Sequence, residues 1–139
     1  MLSPILPSTT KIELCEFKPA GGFPNPCEDF LSKPISLDEL LINRPSSTFM
    51  FKVAGNSMFP TIPEDSMIVV DRSVEIQSGK IVLATVDGQF VVKELQRTNG
   101  KITFHSHNSD YEDIEINSTE ENLQDGVVWG VVTSVIKKL

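Results

Sequence analysis

From residue 48 onward the chain alternates between apolar and polar positions with the two-residue period of β-strands. Thr48 to Ala54 sets Phe49, Phe51 and Val53 on one face, and Met67 to Asp71 is a short buried strand. Lys80 to Val86 and Gln89 to Gln96 flank Asp87-Gly88, the dipeptide of a two-residue hairpin turn in which both residues take positive φ. Asn99-Gly100 repeats that signal ahead of Lys101 to His105. Val127 to Ile136 is a long β-branched closing strand, with Gly130 as a candidate bulge. These strands predict a mainly antiparallel β domain.

One helix is predicted. Ser36-Leu37-Asp38-Glu39 has the form of a capping box, a serine N-cap with a glutamate three residues on. Leu37, Leu40 and Leu41 follow as a short apolar stripe, and Pro45 ends it. Residues 1–34 read differently. They hold Pro4, Pro7, Pro19, Pro24, Pro26 and Pro34, six of the nine prolines, together with Gly21-Gly22. Proline removes backbone donors and resists both helix and central strand, so this segment is expected to be an extended N-terminal arm. Lys11 to Phe17, where Ile12 and Leu14 alternate with Lys11 and Glu13, is a strand-like piece within it. The expected organisation is therefore an arm over 1–34 and a β domain over 35–139.

Composition narrows the function. The 139 residues suit one domain with a sizeable core. A net charge of −7 opposes non-specific binding to a phosphate backbone, and no direct specific DNA binding is expected either. Acidic residues gather late, at Asp110, Glu112, Asp113, Glu115, Glu120, Glu121 and Asp125, as expected of a solvated face. Cys15 and Cys27 are too few and too close to the start for a disulfide framework and read as reduced thiols. No apolar run reaches membrane-span length and the first ten residues lack a secretory pattern. A soluble, cytoplasmic protein without a membrane association is expected.

Two residues carry the candidate chemistry. Ser57 lies in Val53-Ala54-Gly55-Asn56-Ser57-Met58, where a strand runs into a turn. Lys93 shares a strand face with Val91 and Leu95. Burial lowers an amine pKa, and a neutral lysine beside a serine can take its hydroxyl proton and make it a nucleophile. The turn can aim the backbone amides of Asn56 and Ser57 at a developing oxyanion. Each residue also has a plainer reading: a turn serine bonding its own backbone, and an edge-strand lysine with its stem on apolar surface and its ammonium in water. His105 and His107 lie two apart with Asp110 nearby, but a third metal ligand at regular spacing and an acid partner for a triad are both missing. No metal and no cofactor are expected, because no phosphate-cradling or cofactor motif occurs. Trp129, with Val127, Val131 and Val135, reads as core or dimer-contact surface.

The order of motifs adds to this. Gly-Gly-Phe-Pro (21–24), Gly-Asn-Ser-Met (55–58), Val-Asp-Gly-Gln-Phe-Val-Val-Lys-Glu-Leu (86–95) and Gly-Val-Val (130–132) together resemble the LexA/UmuD family of self-cleaving proteins. The resemblance spans nearly the whole chain. The length, the proline-rich arm and the lack of an N-terminal helix-turn-helix are similar to the UmuD-type members, not to the LexA repressors. It implies a LexA-like fold, Ser57 as nucleophile and Lys93 as general base. It also implies a self-cleavage site in the arm, placed between Gly21 and Gly22 by the Phe-Pro that follows; Ala20–Gly21 is the alternative bond. Three features depart from the pattern: glycine before the bond, Asn56 where the family often has aspartate, and no proline near His105-Ser106-His107-Asn108.

The implied partners are a second copy in a homodimer, a RecA–single-stranded DNA filament as activator, and a Y-family DNA polymerase subunit (UmuC-like). The shortened product would serve translesion synthesis in the SOS response. Other classes remain open on the residues alone: a non-catalytic dimeric polymerase accessory module, or a LexA-like regulator without a DNA-binding domain. A single-stranded DNA-binding barrel fits poorly with the acidic balance and a single Trp and Tyr.

Overall fold

The computed structural model describes residues 10–17, 30–116 and 127–139, which form nine strands and one short α-helix, mainly antiparallel β as expected, with β2 and β8 beyond the strands that the alternation predicts. They divide into two compact units between Asn43 and Arg44.

In the first unit, β1 (Ile12–Phe17) pairs antiparallel with β2 (Phe30–Ile35), in register from Ile12 opposite Ile35 to Phe17 opposite Phe30. The β2 strand was not evident from the sequence, because Pro34 argues against a central strand. A two-stranded ribbon has only edges, and Pro34, opposite Glu13, is tolerated there. Helix α1 (Leu37–Leu41) begins where the capping box predicts, with the Ser36 hydroxyl accepting from the Asp38 N–H at 3.2 Å. Cys15 is an exposed free thiol; Cys27 lies outside the described residues.

The second unit opens with a 3-10 turn, Pro45–Ser47, and contains one seven-stranded sheet. Its strands are β3 (Thr48–Lys52), β4 (Met67–Asp71), β5 (Ile81–Val86), β6 (Gln89–Thr98), β7 (Lys101–His105), β8 (Ile114–Ile116) and β9 (Val128–Ile136). The order is β3-β4-β9-β5-β6-β7-β8, and every pairing is antiparallel. Both predicted hairpin turns form, with φ of 51° and 79° at Asp87 and Gly88 and 53° and 76° at Asn99 and Gly100.

The closing strand β9 lies between β4 and β5 and carries two register shifts. Gly130 faces Leu83 while Val128 faces Ala84, so Trp129 is an extra residue beside the glycine predicted as a bulge. Gly130 itself is fixed by space: a Cβ there would stand 2.6 Å from Val70 Cγ1. Trp129 turns into an aromatic group, 5.0 Å from Phe49, 5.4 Å from Phe51 and 6.4 Å from Phe90 between ring centres, with the Arg72 guanidinium 4.4 Å over its ring.

The core is split by the sheet. Val82, Ala84, Leu95, Ile102, Phe104, Val128 and Val131 form one cluster, and Met58, Ile62, Ile68, Val70 and Leu83 form another. Strand side chains alternate between faces, so β5 supplies Val82 and Ala84 to the first cluster and Leu83 to the second. Burial on both sides explains its unbroken apolar run. Asp71, buried at the end of β4, is fully satisfied. Its Oδ1 accepts from Ser47 Oγ at 2.8 Å, from the Ser73 N–H at 2.8 Å and from Ser73 Oγ at 2.6 Å.

Candidate functional site

The turn after β3 is anchored at both ends. The Val53 N–H donates to the Ser66 carbonyl at 2.8 Å and the Asp65 N–H to the Val53 carbonyl at 3.0 Å, closing the connection to β4. Inside it, Gly55 takes φ of +84°, a conformation that residues with a Cβ rarely adopt. The Phe59 N–H then donates to the Asn56 carbonyl at 3.1 Å and the Ile62 N–H to the Met58 carbonyl at 2.9 Å. Met58 and Ile62 are buried in the core, so the turn is held from below. Ser57, half-buried, sits between the free-turning glycine and this anchor.

Lys93 arrives from β6, opposite Val82 of β5. Ser57 and Lys93, 36 positions apart in sequence, meet with Nζ donating to Oγ at 2.7 Å. Only 6% of Lys93 is exposed, so the snorkelling alternative does not hold. Among the described residues no carboxylate forms an ion pair with it. Burial without a counter-charge pushes its amine below the ordinary 10.5. Once neutral, the same nitrogen offers a lone pair to the serine hydroxyl at the same distance. The pair opens on a groove of about 440 Å³ whose walls include Phe51, Val53, Ala54, Leu83, Phe90 and Val92.

The loop after β7 covers the turn from the other side. Asn108 donates its backbone N–H to the Ser57 carbonyl and its side-chain Nδ2 to the Asn56 carbonyl, both at 3.0 Å. Tyr111 donates its hydroxyl to Asn56 Oδ1 at 2.9 Å, and its ring centre lies 5.7 Å from Lys93 Nζ. Reasoning from the sequence did not find these contacts. A lone tyrosine in a polar turn, three residues after an asparagine able to close an Asx turn, was the only available signal.

The two histidines do have acid partners, contrary to the expectation from spacing. His105 Nδ1 lies 2.6 Å from Asp113 Oδ1, and His107 Nε2 lies 3.1 Å from Glu94 Oε1. His107 Nδ1 also meets Thr61 Oγ1 at 2.6 Å. The carboxylates come from β6 and from beyond the turn, and Asp110 is not among the partners. The Glu94 carboxyl is held below its ordinary value, first by the hydrogen bond from Gln96, then against burial by His107 and the charge of His105. The hydrogen bonds of the two histidines go to Thr61, Glu94 and Asp113, not to Ser57 or Lys93, so they brace the loop. Among the described residues no group of three His, Cys, Asp or Glu side chains is placed to hold a metal, and no helix is long and apolar enough to cross a membrane. Gly21, Gly22 and Ala20 lie outside the described residues.

Fold and site together define a LexA-like β domain with a lysine on a serine at the floor of an apolar groove. The Peptidase S24-like family profile matches residues 13–132, and the chain belongs to that family. It is 31% identical over 115 residues to Protein MucA of Escherichia coli, covering 82% of this chain and 76% of that one. It is 34% identical over 119 residues to Protein SamA of Salmonella typhimurium, covering 85% and 79%. With Protein ImpA of Salmonella typhimurium the identity is 38% over 76 residues, 54% of this chain and 52% of the relative, so the match spans about half of that protein. These likenesses bear out the resemblance to the LexA/UmuD family drawn from the motifs.

Proposed function

We propose that the chain is a self-cleaving serine peptidase with a Ser57–Lys93 dyad that cuts its own arm between Gly21 and Gly22. The observation that supports it best is the 2.7 Å contact between Ser57 Oγ and a buried lysine that no carboxylate among the described residues pairs. Neutral Lys93 takes the Ser57 proton as Oγ bonds to the Gly21 carbonyl carbon. The backbone amides of Asn56 and Ser57 receive the oxyanion. Lys93 then gives the proton to the Gly22 nitrogen as the peptide bond breaks, leaving an ester on Ser57. Lys93 next takes a proton from water, whose oxygen attacks the ester, and Ser57 regains its hydroxyl. Because the substrate belongs to the same assembly, its effective concentration is high.

By family resemblance, the role is that of a UmuD-like SOS mutagenesis protein. A homodimer is activated by a RecA–single-stranded DNA filament, and the shortened form, residues 22–139, acts with an error-prone Y-family polymerase subunit in translesion synthesis. An activator works here by populating the state in which the arm lies in the groove. Intact mass spectrometry of wild type, Ser57→Ala and Lys93→Ala at neutral and alkaline pH tests the reading. A mass for residues 22–139 is expected in wild type only, forming faster at alkaline pH as Lys93 loses its proton. A wild type that stays whole at both pH values, with an activated filament present, rejects it.

A further inference from the structure

We propose that Asn108 is the positioning residue that fixes the orientation of the Ser57 amide, and through it the oxyanion-binding face of the turn. The inference rests on the peptidase reading above. A trans peptide is a rigid plane whose carbonyl and N–H point in opposite directions. The Asn56 carbonyl and the Ser57 N–H share one such plane, and the Ser57 carbonyl and the Met58 N–H share the next. Asn108 holds both carbonyls, the first with Nδ2 and the second with its own N–H, each at 3.0 Å. Two successive planes are therefore pinned by one residue, and their N–H groups face away from the loop.

The turn needs such a hold. Gly55, at φ +84°, lies immediately before Asn56 and contributes no side chain to restrain it. Without the Asn108 amide, the Asn56 carbonyl keeps only the Phe59 N–H at 3.1 Å.

Asn108 is itself held in place. Its Oδ1 accepts from the Asp110 N–H at 3.0 Å, and its carbonyl accepts from the Tyr111 N–H at 3.1 Å. Tyr111 closes the circuit by donating to Asn56 Oδ1 at 2.9 Å. On either side of this Asx turn, His107 reaches Thr61 and Glu94, and His105 reaches Asp113. The loop is thus fastened to β6 and to the far end of the Ser57 turn before it touches the nucleophile.

The test is self-cleavage of the full chain, followed by intact mass from neutral to alkaline pH, in wild type, Asn108→Ser and Tyr111→Phe. Serine keeps a short oxygen for the Asp110 N–H, brings no charge, and is too short to reach the Asn56 carbonyl. Asn108→Ser is expected to lower the alkaline plateau rate about ten- to hundredfold while leaving the pH midpoint of the rise, set by Lys93, in place. Tyr111→Phe keeps the ring beside Lys93 and is expected to lower the plateau about threefold. If Asn108→Ser loses its cooperative melt, Asn108→Asp, which retains the Asp110 bond and removes the donor, is measured in its place with the same expectation for the plateau. A wild-type plateau in the folded Asn108 variant overturns the inference and leaves the peptidase reading standing. A wild type that never cleaves overturns both.

Discussion

Asp71 and Lys93 are both buried ionisable groups in the same sheet, and they are treated in opposite ways. Burial pushes the Asp71 carboxyl up, but hydrogen bonds from the Ser73 side chain and backbone and from Ser47, with the nearby Arg44 charge, outweigh it and hold the carboxyl below its ordinary value. Lys93 has one hydroxyl and the edge of Tyr111's reach, and burial alone governs it. A satisfied buried charge secures structure; an unsatisfied one is driven toward its neutral form and becomes available for proton transfer. The molecule thus spends its polar groups at the β4 end on stability and withholds them at the β6 site.

The largest expected effect comes from breaking the poorly satisfied member. Lys93→Met is expected to abolish self-cleavage, a loss of at least about a thousandfold by intact mass. It is also expected to raise the melting temperature at neutral pH. The sign follows from linkage: with the folded amine below 10.5, the unfolded chain binds more protons between the two values, so wild-type stability rises with pH across that window. Methionine lacks that penalty, and the two melting curves are expected to converge as pH approaches 10.5. Asp71→Ala should behave in reverse. It leaves three donors without their acceptor and is expected to cost about 1–3 kcal/mol in denaturant unfolding near neutrality. Because the folded carboxyl lies below its ordinary 3.8, that contribution is present above 3.8 and lost as pH falls through the lowered folded value. The deficit of the variant should shrink in acid.

Two smaller changes sharpen the contrast between packing and charge. Gly130→Ala forces a methyl against Val70 and is expected to destabilise by about 1–3 kcal/mol, seen as a lower denaturant midpoint, without moving the pH midpoint of cleavage. Glu94→Gln removes the charge facing His107 at a partly exposed site and is expected to change stability by about 1 kcal/mol or less in the same measurement.

Much of this could be read from the chain because the informative residues act locally. The Asp87-Gly88 and Asn99-Gly100 turns, the serine cap of α1 and the alternation that puts Lys93 on an apolar strand face all follow from neighbours within a few positions; that Lys93 is buried there, and not snorkelling, only the fold shows. The resemblance of motifs then linked Ser57 to Lys93. What was not legible depends on distance or brevity. β8 has three residues, too few to show a period. β2 hides behind Pro34, which only a two-stranded edge accommodates. Asn108 and Tyr111 find Asn56 across 52 and 55 positions, and His107 finds Glu94 on another strand. No spacing rule reaches those pairs: β6 against β7 brings His107 to Glu94, and the loop after β7 meeting the turn after β3 brings Asn108 and Tyr111 to Asn56.

The central claim is that the sheet makes Lys93 a base for Ser57. It is tested most directly by titrating the Lys93 side chain itself, through its ε-carbon resonance in the full-length Ser57→Ala chain, which is expected to stay uncut. The account predicts a midpoint clearly below 10.5. A midpoint at or above 10.5 would contradict it, because the lysine would then hold its proton at the pH where the serine must lose one.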